Sequence, residues 1–509
     1  VSLDPAADRL APDVDAWLRA GADGSTPCER VIETSISYIF LFADRALKLK
    51  KPVDLGFLDF TTPDKRRLDS RRELAFNQPS APDIYRRVRA ITRSPEGLIV
   101  FDGPGEVLDW AVEMRRFDEA GTLVNHLADV DGVFAETLGR KIARFHLGAD
   151  PGAAGGGSAG LAYILRSNAH LLRSEAADLG ADAVEDLIAA TDAAFESVAP
   201  LLDRRLAQGF VRCCHGDLHL GNILLEGGAP VLFDCIEFND GLREIDVLYD
   251  IAFLLMDLGF RGAPGAANRV LNGWIDETAR GFDPSLWQGL AALPLFQAVR
   301  AAVRTHVNAL EGGGEVARRY LAAGRDYLQP LRPALIAVGG LSGAGKSTLA
   351  WALAPDLGPG PGAVILRTDE IRKRLWGRDP TDRLPPEAYA PAAGAAVYAE
   401  LCATATTVLA AGWSVIADAV FLRPHERAEI AAVARAAGAD FRGVWLEAPE
   451  ETLRGRIAGR VGDASDADAR VLGLQLAADP GPIDWLRTAA MNLDALWIRL
   501  GLYGRRAGT

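Results

Sequence analysis

Lysine is scarce in this 509-residue chain: seven residues, at 48, 50, 51, 65, 141, 346 and 373, stand against 48 arginines. In so arginine-rich a sequence, three lysines between positions 48 and 51 ask for a reason. Cysteine is sparse too. The five residues at 28, 213, 214, 235 and 402 form no CxxC pair and no ligand spacing, which speaks against a disulfide framework or a zinc site and for a reducing, cytoplasmic setting. Cys213, Cys214 and Cys235 then read as small buried hydrophobes. Excess basic charge is missing: a net charge of −13 argues against general nucleic-acid binding, which needs a basic footprint. Apolar windows such as Ile251–Leu258 are too short and interrupted to span a bilayer. Residues 1–27, mixed polar, acidic and alanine-rich, show no secretory signal pattern. His126, His146, His170, His306 and His425 form no ligand spacing, so no metal is assigned to histidine.

With 49% apolar and 24% charged residues, the composition is that of a globular protein, and the length calls for two or three domains. The organising stretch is His215-Gly216-Asp217-Leu218-His219-Leu220-Gly221-Asn222, followed by an apolar run and Phe233-Asp234. An Asp, then an Asn five residues later, then a second Asp about a dozen further on, is the catalytic-loop and metal-site spacing of kinase-like phosphotransferases. Asp217 would accept the hydroxyl proton of a phosphoryl acceptor. Asn222 and Asp234 would hold Mg²⁺ on the phosphates of ATP, because hard cations take oxygen ligands. Ile223–Leu225 and Val231–Phe233 read as a hairpin turning at Glu226-Gly227-Gly228, with Asn222 and Asp234 at its ends and close in space. These residues resemble the aminoglycoside phosphotransferase and choline-kinase branch of the kinase-like fold, whose HGDxHxGN run is the catalytic loop. Glu237 matches the acidic residue that often follows there.

Upstream, residues 29–60 alternate as strands, Ser35–Phe42 and Ala46–Lys50 around a turn at Ala43-Asp44-Arg45. Kinase-like folds place a lysine on such a strand to pair the α and β phosphates, and a helix glutamate to orient it. Lys48 and Lys50 share one face of the strand; either fits, with Lys48, between Leu47 and Leu49, preferred. Glu73, on a helix over Pro63–Asn77, is the candidate partner; the alternative is an ordinary exposed helix glutamate. The glycine-rich phosphate loop of the resemblance is absent, with Thr34-Ser35-Ile36-Ser37 in its place. Leu98–Phe101 and Val107–Met114 are the next strands, and the resemblance makes 113–117 the adenine-binding linker. Helices follow over Val133–Leu147 and 182–208, separated by a Gly/Ala/Ser-rich loop at Asp150–Gly160. Asp246 and Asp250, in the D-x-x-x-D-[LI]-A pattern of the family, read as structural, and His219 as a hydrogen-bonding loop residue.

Pro330 and Pro333 punctuate a boundary. A short apolar strand, Ala334–Val338, leads into Gly340-Leu341-Ser342-Gly343-Ala344-Gly345-Lys346-Ser347 and a helix from Thr348: G-x-x-x-x-G-K-S between a strand and a helix. Backbone amides along this loop would cradle phosphates, Lys346 would reach the β and γ phosphates, and Ser347 would ligate Mg²⁺. Strands Val364–Arg367 and Ser414–Ala417 end in Asp369 and Asp418, which should face the loop because ligands sit at the carboxyl ends of such strands. This half resembles P-loop small-molecule kinases of the gluconate kinase, chloramphenicol phosphotransferase and zeta-toxin group. The resemblance implies Asp369 as base on the acceptor hydroxyl, Arg372 as substrate holder and Asp418 as a Walker-B-like acid near Mg²⁺, with a helix N-cap as the alternative for Asp418. It further implies Arg456 and Arg460, one helical turn apart, as cover for the phosphates, beside Arg454 and a lid over Gly462–Asp468. A solvated face is the alternative for these arginines.

The expected architecture is an α+β bilobal kinase-like domain followed by an α/β P-loop domain with a mostly parallel sheet. Its parts are an extension (1–28), an N-lobe (29–118), a C-lobe with the catalytic loop (119–329) and the P-loop domain (330–509). The whole resembles bacterial proteins that join an aminoglycoside-phosphotransferase-like unit to a P-loop unit. The expected activity is phosphorylation of a small-molecule hydroxyl with ATP and Mg²⁺, at two sites. The alternatives are one catalytic unit with a nucleotide-binding regulator, or a non-catalytic ATP-dependent switch. No nucleic-acid or membrane partner is expected, and the sequence leaves the acceptor and the oligomeric state open.

Overall fold

The alternating stretch after Glu29 folds into an antiparallel sheet. The computed structural model describes residues 9–22, 24, 26–56, 58–152, 156–459, 464–489 and 493–502. The sheet holds β1 (Arg30–Glu33), β2 (Ser37–Leu41), β3 (Arg45–Lys50), β4 (Tyr85–Arg93), β5 (Ile99–Phe101) and β6 (Glu106–Arg115), in the order β1-β2-β3-β6-β4-β5. The helix α1 (Pro12–Arg19), with Pro in its first turn, places Val14 and Leu18 against Phe40, Leu47 and Leu49. Strand β4 is not marked by apolar alternation. Arg87 and Arg89 interrupt the pattern, and in the structure they lie 3.1 and 3.5 Å from Glu113 of β6.

Helix α2 (Pro63–Asn77) starts at Thr62, whose hydroxyl accepts from the Lys65 N–H, with Pro63 at its first position. Its buried face is polar: Arg66, Asp69, Ser70, Glu73 and Asn77. Such a face is costly unless each group finds a partner, so the helix must deliver polar side chains to a site. The strands β7 (Val211–Cys213), β8 (Ile223–Glu226) and β9 (Ala229–Leu232) also belong to this unit, which comprises residues 1–129, 149–156 and 211–245. β8 and β9 pair antiparallel through Gly227 and Gly228 at φ +58° and +79°, the left-handed pair that a two-residue hairpin turn requires.

The second unit comprises residues 130–148, 157–210 and 246–509. Its helical part holds α3 (Gly132–Gly148), α4 (Gly157–Ser174), α5 (Ala181–Ala207), α6 (Val247–Phe260), α7 (Pro264–Thr278), α8 (Leu293–Leu310) and α9 (Gly314–Tyr327). α6 is buried from Val247 through Leu258, and α4 begins inside the stretch expected to be loop. α3 and α7 cross where both carry glycine: a Cβ on Gly139 would stand 2.2 Å from the Val270 carbonyl oxygen, and one on Gly273 2.5 Å from that of Glu136.

The sheet part holds β10 (Ala334–Gly340), β11 (Val364–Arg367), β12 (Val415–Asp418), β13 (Asp440–Leu446) and β14 (Leu486–Thr488). All pairings are parallel, in the order β11-β12-β10-β13-β14. Central β10 is buried throughout, as a strand covered on both faces must be. The helices are α10 (Lys346–Leu353), α11 (Thr368–Leu375), α12 (Pro391–Ala410), α13 (Pro424–Ala436), α14 (Glu450–Ala458), α15 (Ala469–Ala477) and α16 (Leu493–Leu500). Among the described residues, α12 is the one helix long and apolar enough to cross a bilayer by length and composition, a run that the reading of shorter apolar windows did not pick out. In the structure its Val397, Leu401, Ala405, Val408 and Leu409 are buried.

The α3–α7 crossing yields a stability prediction. Gly139→Ala gains about 1 kcal/mol of helix propensity but forces the helices apart, at about 1–3 kcal/mol for an overpacked contact. With the new methyl against a backbone oxygen, packing should win. The denaturant midpoint should fall by the equivalent of up to about 2 kcal/mol; an unchanged or raised midpoint would show that the crossing is not tight.

Candidate active sites

The first site forms where α2 faces β3. Lys48 Nζ lies 2.9 Å from Glu73 Oε1 and 2.6 Å from Asp234 Oδ1. Lys50 Nζ lies 2.7 Å from Glu73 Oε2 and 3.3 Å from Asp69 Oδ2, and it also bonds Glu237. Both lysines therefore reach Glu73, which has no exposed surface and is not an ordinary surface glutamate. Burial would raise the Glu73 pKa, but the two ammonium charges override it and hold it at about 2. Burial likewise opposes the charge on Lys48, yet Asp234, Glu73 and Glu237 keep its pKa well above the usual lysine value. The lysines differ in reach: Lys50 is fully enclosed, whereas Lys48 contacts Asp234, whose side chain is 42% exposed.

The loop around Asp217 is fixed by its own hydrogen bonds. Gly216 sits at φ +85°, with the Leu242 carbonyl 3.0 Å from where a Cβ would be. Asn222 Nδ2 donates to the backbone oxygen of Asp217 and to its Oδ2, both at 2.9 Å. His219 Nδ1 accepts from the Gly221 N–H at 3.0 Å, so its own N–H must be on Nε2, 3.4 Å from Asp217 Oδ2. The hairpin ends meet, with Phe233 N–H donating to the Asn222 oxygen at 3.1 Å. Asp234 follows at φ +62°, a left-handed conformation that Asp tolerates better than most residues. Its N–H donates to the Tyr85 hydroxyl at 3.2 Å, and the next N–H, of Cys235, to Asn77 Oδ1 at 2.8 Å. Sequence reasoning missed both supports. Asn77 is on the polar face of α2, a signal that could have been read; Tyr85 is on the unmarked strand β4.

Three further expectations can be placed. The Thr34 hydroxyl is engaged in its own turn, accepting from Ser37 N–H at 2.9 Å. At 113–117, Arg115 pairs with Glu226 at 2.7 Å and Phe117 meets Phe233 edge-on at 5.0 Å. In the second unit, Asp246 is held by Arg205 at 2.6 and 2.8 Å. Asp250 lies 3.0 Å from His146 Nε2, and His146 Nδ1 accepts from Trp274 Nε1 at 3.0 Å.

The second site lies at the carboxyl ends of β10, β11 and β12. Gly340, Gly343 and Gly345 have φ of +138°, +84° and +98°. A Cβ on the first two would lie 2.6 Å from the Leu446 oxygen and 2.7 Å from that of Leu453, so the loop admits only glycine there. A cavity of about 770 Å³ opens beside it, bringing together Lys346, Ser347, Asp369, Arg372, Asp418 and Arg456. Ser342, Gly343, Gly345 and Thr348 also line it. Gly340 and Ala344 are buried behind it.

Ser347 Oγ donates to Asp418 Oδ2 at 2.6 Å, and Lys346 Nζ donates to the Leu341 oxygen at 3.2 Å. Burial raises the Asp369 pKa, against the pull of Arg367 and Lys346 and with a push from Asp418. Arg372 donates to the Ala388 oxygen at 2.6 Å and lies 5.0 Å from the Tyr389 ring centre. Arg456 Nη1 donates to the Gly343 and Ala344 oxygens, each at 3.2 Å. Arg454 pairs with Glu450 on an exposed face. Arg460 lies outside the described residues, as do Gly462 and Asp463 of the expected lid. Asp466, within that stretch, pairs with Lys373 at 2.7 Å and accepts from the Tyr389 hydroxyl.

Two contacts here had no place in the sequence reading. Arg367 Nε lies 3.5 Å from Asp418 Oδ2; its position two residues before Asp369 was the available signal. Gln475 Oε1 accepts from the Ser342 N–H at 2.8 Å, and Gln475 Nε2 donates to the Ser342 hydroxyl at 3.0 Å; no motif marks it. Both sites offer hard oxygen ligands suited to Mg²⁺, Asn222 with Asp234 and Ser347 with Asp418.

Residues 70–290 match the Phosphotransferase enzyme family, and residues 335–480 match an AAA domain. The chain is 30% identical over 483 residues to Uncharacterized protein Rv2004c of Mycobacterium tuberculosis, covering 91% of this chain and 92% of that one. The same figures hold for Uncharacterized protein Mb2027c of Mycobacterium bovis. Among solved structures, a gluconokinase from Sinorhizobium meliloti is 24% identical, with 34% of this chain and 91% of that one covered and a TM-score of 0.23. The ethanolamine kinase of Plasmodium vivax is 11% identical, with 59% and 82% covered and a TM-score of 0.38. The choline kinase of Cryptosporidium parvum is 12% identical, with 58% and 88% covered and a TM-score of 0.36.

The buried Glu73 sets a pH dependence. Its pKa falls from 4.5 to about 2 on folding, so its stabilisation is present above pH 4.5 and is lost as the pH drops towards 2. The depression is equivalent to about 3 kcal/mol. Glu73→Gln should remove that part of the acid dependence, measured as denaturant midpoints between pH 6 and 3. An unchanged slope would mean that the carboxylate is not ionised between the lysines.

Proposed function

We propose a function from the premise that this chain belongs to one family with the mycobacterial protein Rv2004c and carries a Phosphotransferase enzyme family domain followed by a P-loop AAA domain. It is an ATP- and Mg²⁺-dependent phosphotransferase acting on small-molecule hydroxyl groups, with two kinase active sites. The observation that carries the reading is that each unit gathers a carboxylate base, a lysine and a pair of oxygen ligands: Asp217, Lys48, Asn222 and Asp234 in one, Asp369, Lys346, Ser347 and Asp418 in the other.

In the first unit, the acceptor oxygen attacks the γ-phosphorus, the bond to the β–γ bridging oxygen breaks, and Asp217 takes the hydroxyl proton. Asn222 and His219 hold Asp217 Oδ2, which fixes the carboxylate for that transfer. Because Asn222 spends its Nδ2 on Asp217, its Oδ1 is the amide atom left to ligate a cation. Bound Mg²⁺ would neutralise phosphate charge between Asn222 and Asp234. Lys48, held by Glu73, pairs the α and β phosphates, and Lys50 keeps Glu73 ionised from behind.

In the second unit, the glycine-rich turn and Lys346 hold the phosphates, and Asp369 is the base. Burial raises its pKa, which makes it a stronger proton acceptor than an ordinary aspartate. Arg372, steadied by Ala388 and Tyr389, holds the acceptor, and Arg456, braced on Gly343 and Ala344, screens the phosphates. The acceptors that fit are sugars, amino sugars, aminoglycosides and similar polyols.

A second reading makes the P-loop unit a nucleotide-gated regulator. It draws on Gln475, which occupies the Ser342 N–H that a phosphate would take. A mass-shift screen separates the two. The chain is incubated with ATP, Mg²⁺ and pooled polar metabolites plus aminoglycosides, beside folded Asp217→Ala and Lys346→Ala variants. Two active sites predict that each variant loses a different phosphorylated product, or that one accumulates the other's substrate, with losses of at least 100-fold. Loss in one variant alone would make the other unit regulatory. No phosphorylated product from the unsubstituted chain would overturn the kinase reading.

A further inference from the structure

Within one compact unit, the segment matched to the phosphotransferase family packs against the strand and helix that carry Asp369. Strand β11, whose end carries Asp369, pairs within its sheet, among the described residues, only with β12. An edge strand leaves N–H and C=O groups that need partners. Here they come from α7. Asn272 Oδ1 accepts from the Ile365 N–H at 2.7 Å, and Asn272 Nδ2 donates to the Ala363 oxygen at 3.2 Å. Asn268 Nδ2 donates to the same oxygen at 3.0 Å. Asn268 has no exposed surface and Asn272 only 5%. One carboxamide thus extends the sheet where an additional strand would lie.

One turn along α7, Asp276 is buried among three arginines. Arg140 lies at 2.8 Å, Arg374 at 2.9 Å and Arg280 at 3.4 Å. Arg374 belongs to α11, the helix whose first turn carries Asp369. Arg140, from α3, extends to Glu370 at 3.7 Å; Glu370 pairs with Arg367 at 3.1 Å, and Arg367 lies 3.5 Å from Asp418. A chain of alternating charge therefore runs from Asp276 to the carboxylate that bonds Ser347. A third tie is Arg269 of α7, 3.9 Å over the ring of Trp351 on α10, the helix that starts at Lys346.

We propose that Asn272, Asp276 and Arg140 are positioning residues of the P-loop site: they set the placement of Asp369 and Asp418 from outside the P-loop domain, through the edge of β11 and the arginine–carboxylate chain. The inference rests on the kinase reading of that site only for its catalytic readout. The residues touch neither the glycine-rich loop nor Lys346, which hold the phosphates, so they should act more on transfer than on nucleotide capture.

The test uses the full chain carrying Asp217→Asn, so that Mg²⁺-ATP turnover reports the P-loop site, with Asn272→Ala and Arg140→Met added singly. The expected result is a tenfold or greater fall in kcat with the KM for ATP changed less than threefold. Amide exchange over 363–375 should be at least tenfold faster, and Ala334–Gly340 should stay protected. If Arg140→Met does not fold, Asn272→Ala, which removes hydrogen bonds and no charge, carries the test. Unchanged kcat, or a fall in kcat matched by loss of ATP binding and of protection at Ala334–Gly340, would overturn the proposal. If the parent turns over no more ATP than its Lys346→Ala companion, the kinase reading of the site fails. Exchange at Ile365 then decides this proposal: accelerated in Asn272→Ala it stands, unchanged it falls.

Discussion

A charge taken out of water must meet its opposite, and both sites of this chain are arranged around that constraint. In the first unit the focus is Glu73, a carboxylate without exposed surface between Lys48 and Lys50. Lys50 has no exposed side-chain surface. In the role proposed above it keeps Glu73 ionised, so that Glu73 orients Lys48 beside Asp234. Removing either lysine would leave the carboxylate in the low-dielectric interior with half its compensation, the situation in which breaking a buried pair costs about 3–5 kcal/mol. Asp276 is the counterpart in the second unit, with three arginines around one acid. Burial would raise its pKa, but Arg140, Arg374 and Arg280 hold it below the usual value.

On the proposed reading the two units would treat phosphate differently. The first would use side-chain charge: Lys48 stands 2.6 Å from Asp234, a cation against the carboxylate proposed to bind Mg²⁺. The glycine-rich loop common to kinase-like folds is replaced by a turn whose threonine hydroxyl is occupied, so side chains must supply more of the recognition. The second would use backbone, with glycines at left-handed φ values and, at Gly340 and Gly343, no room for a Cβ. Such a loop binds phosphate through N–H groups at a helix start. Its precision depends on the strands that carry it, which is why the contacts along β11 matter.

Much of this was legible in the sequence, and the limits have physical causes. Short-range patterns were readable: the β2–β3 alternation, the capped helix Pro63–Asn77, the β8–β9 hairpin at Gly227-Gly228, and the strand–glycine loop–helix passage at 334–353. The spacing Asp217–Asn222–Asp234 pointed to one locus because a hairpin brings its ends together. Strand β4 was not legible, since Arg87 and Arg89 find their partner on another strand. Helix α4 was hidden by a small-residue start. The division of labour between Lys48 and Lys50 could not be read from one strand face; it depends on which carboxylates α2 and the segment after β9 bring to each. Asn272, Arg140 and Gln475 carry no motif. Their roles exist only through contacts more than ninety residues away in the chain.

Two kinase active sites in one chain require two nucleotide sites. Equilibrium binding of Mg²⁺ with a non-hydrolysable ATP analogue, read by calorimetry as stoichiometry per chain, tests that directly. Two nucleotides per chain are predicted, falling to one in Lys48→Met, to one in Lys346→Ala and to none in the double variant. A single nucleotide per unsubstituted chain, lost entirely in one of the two variants and unaffected in the other, would contradict it.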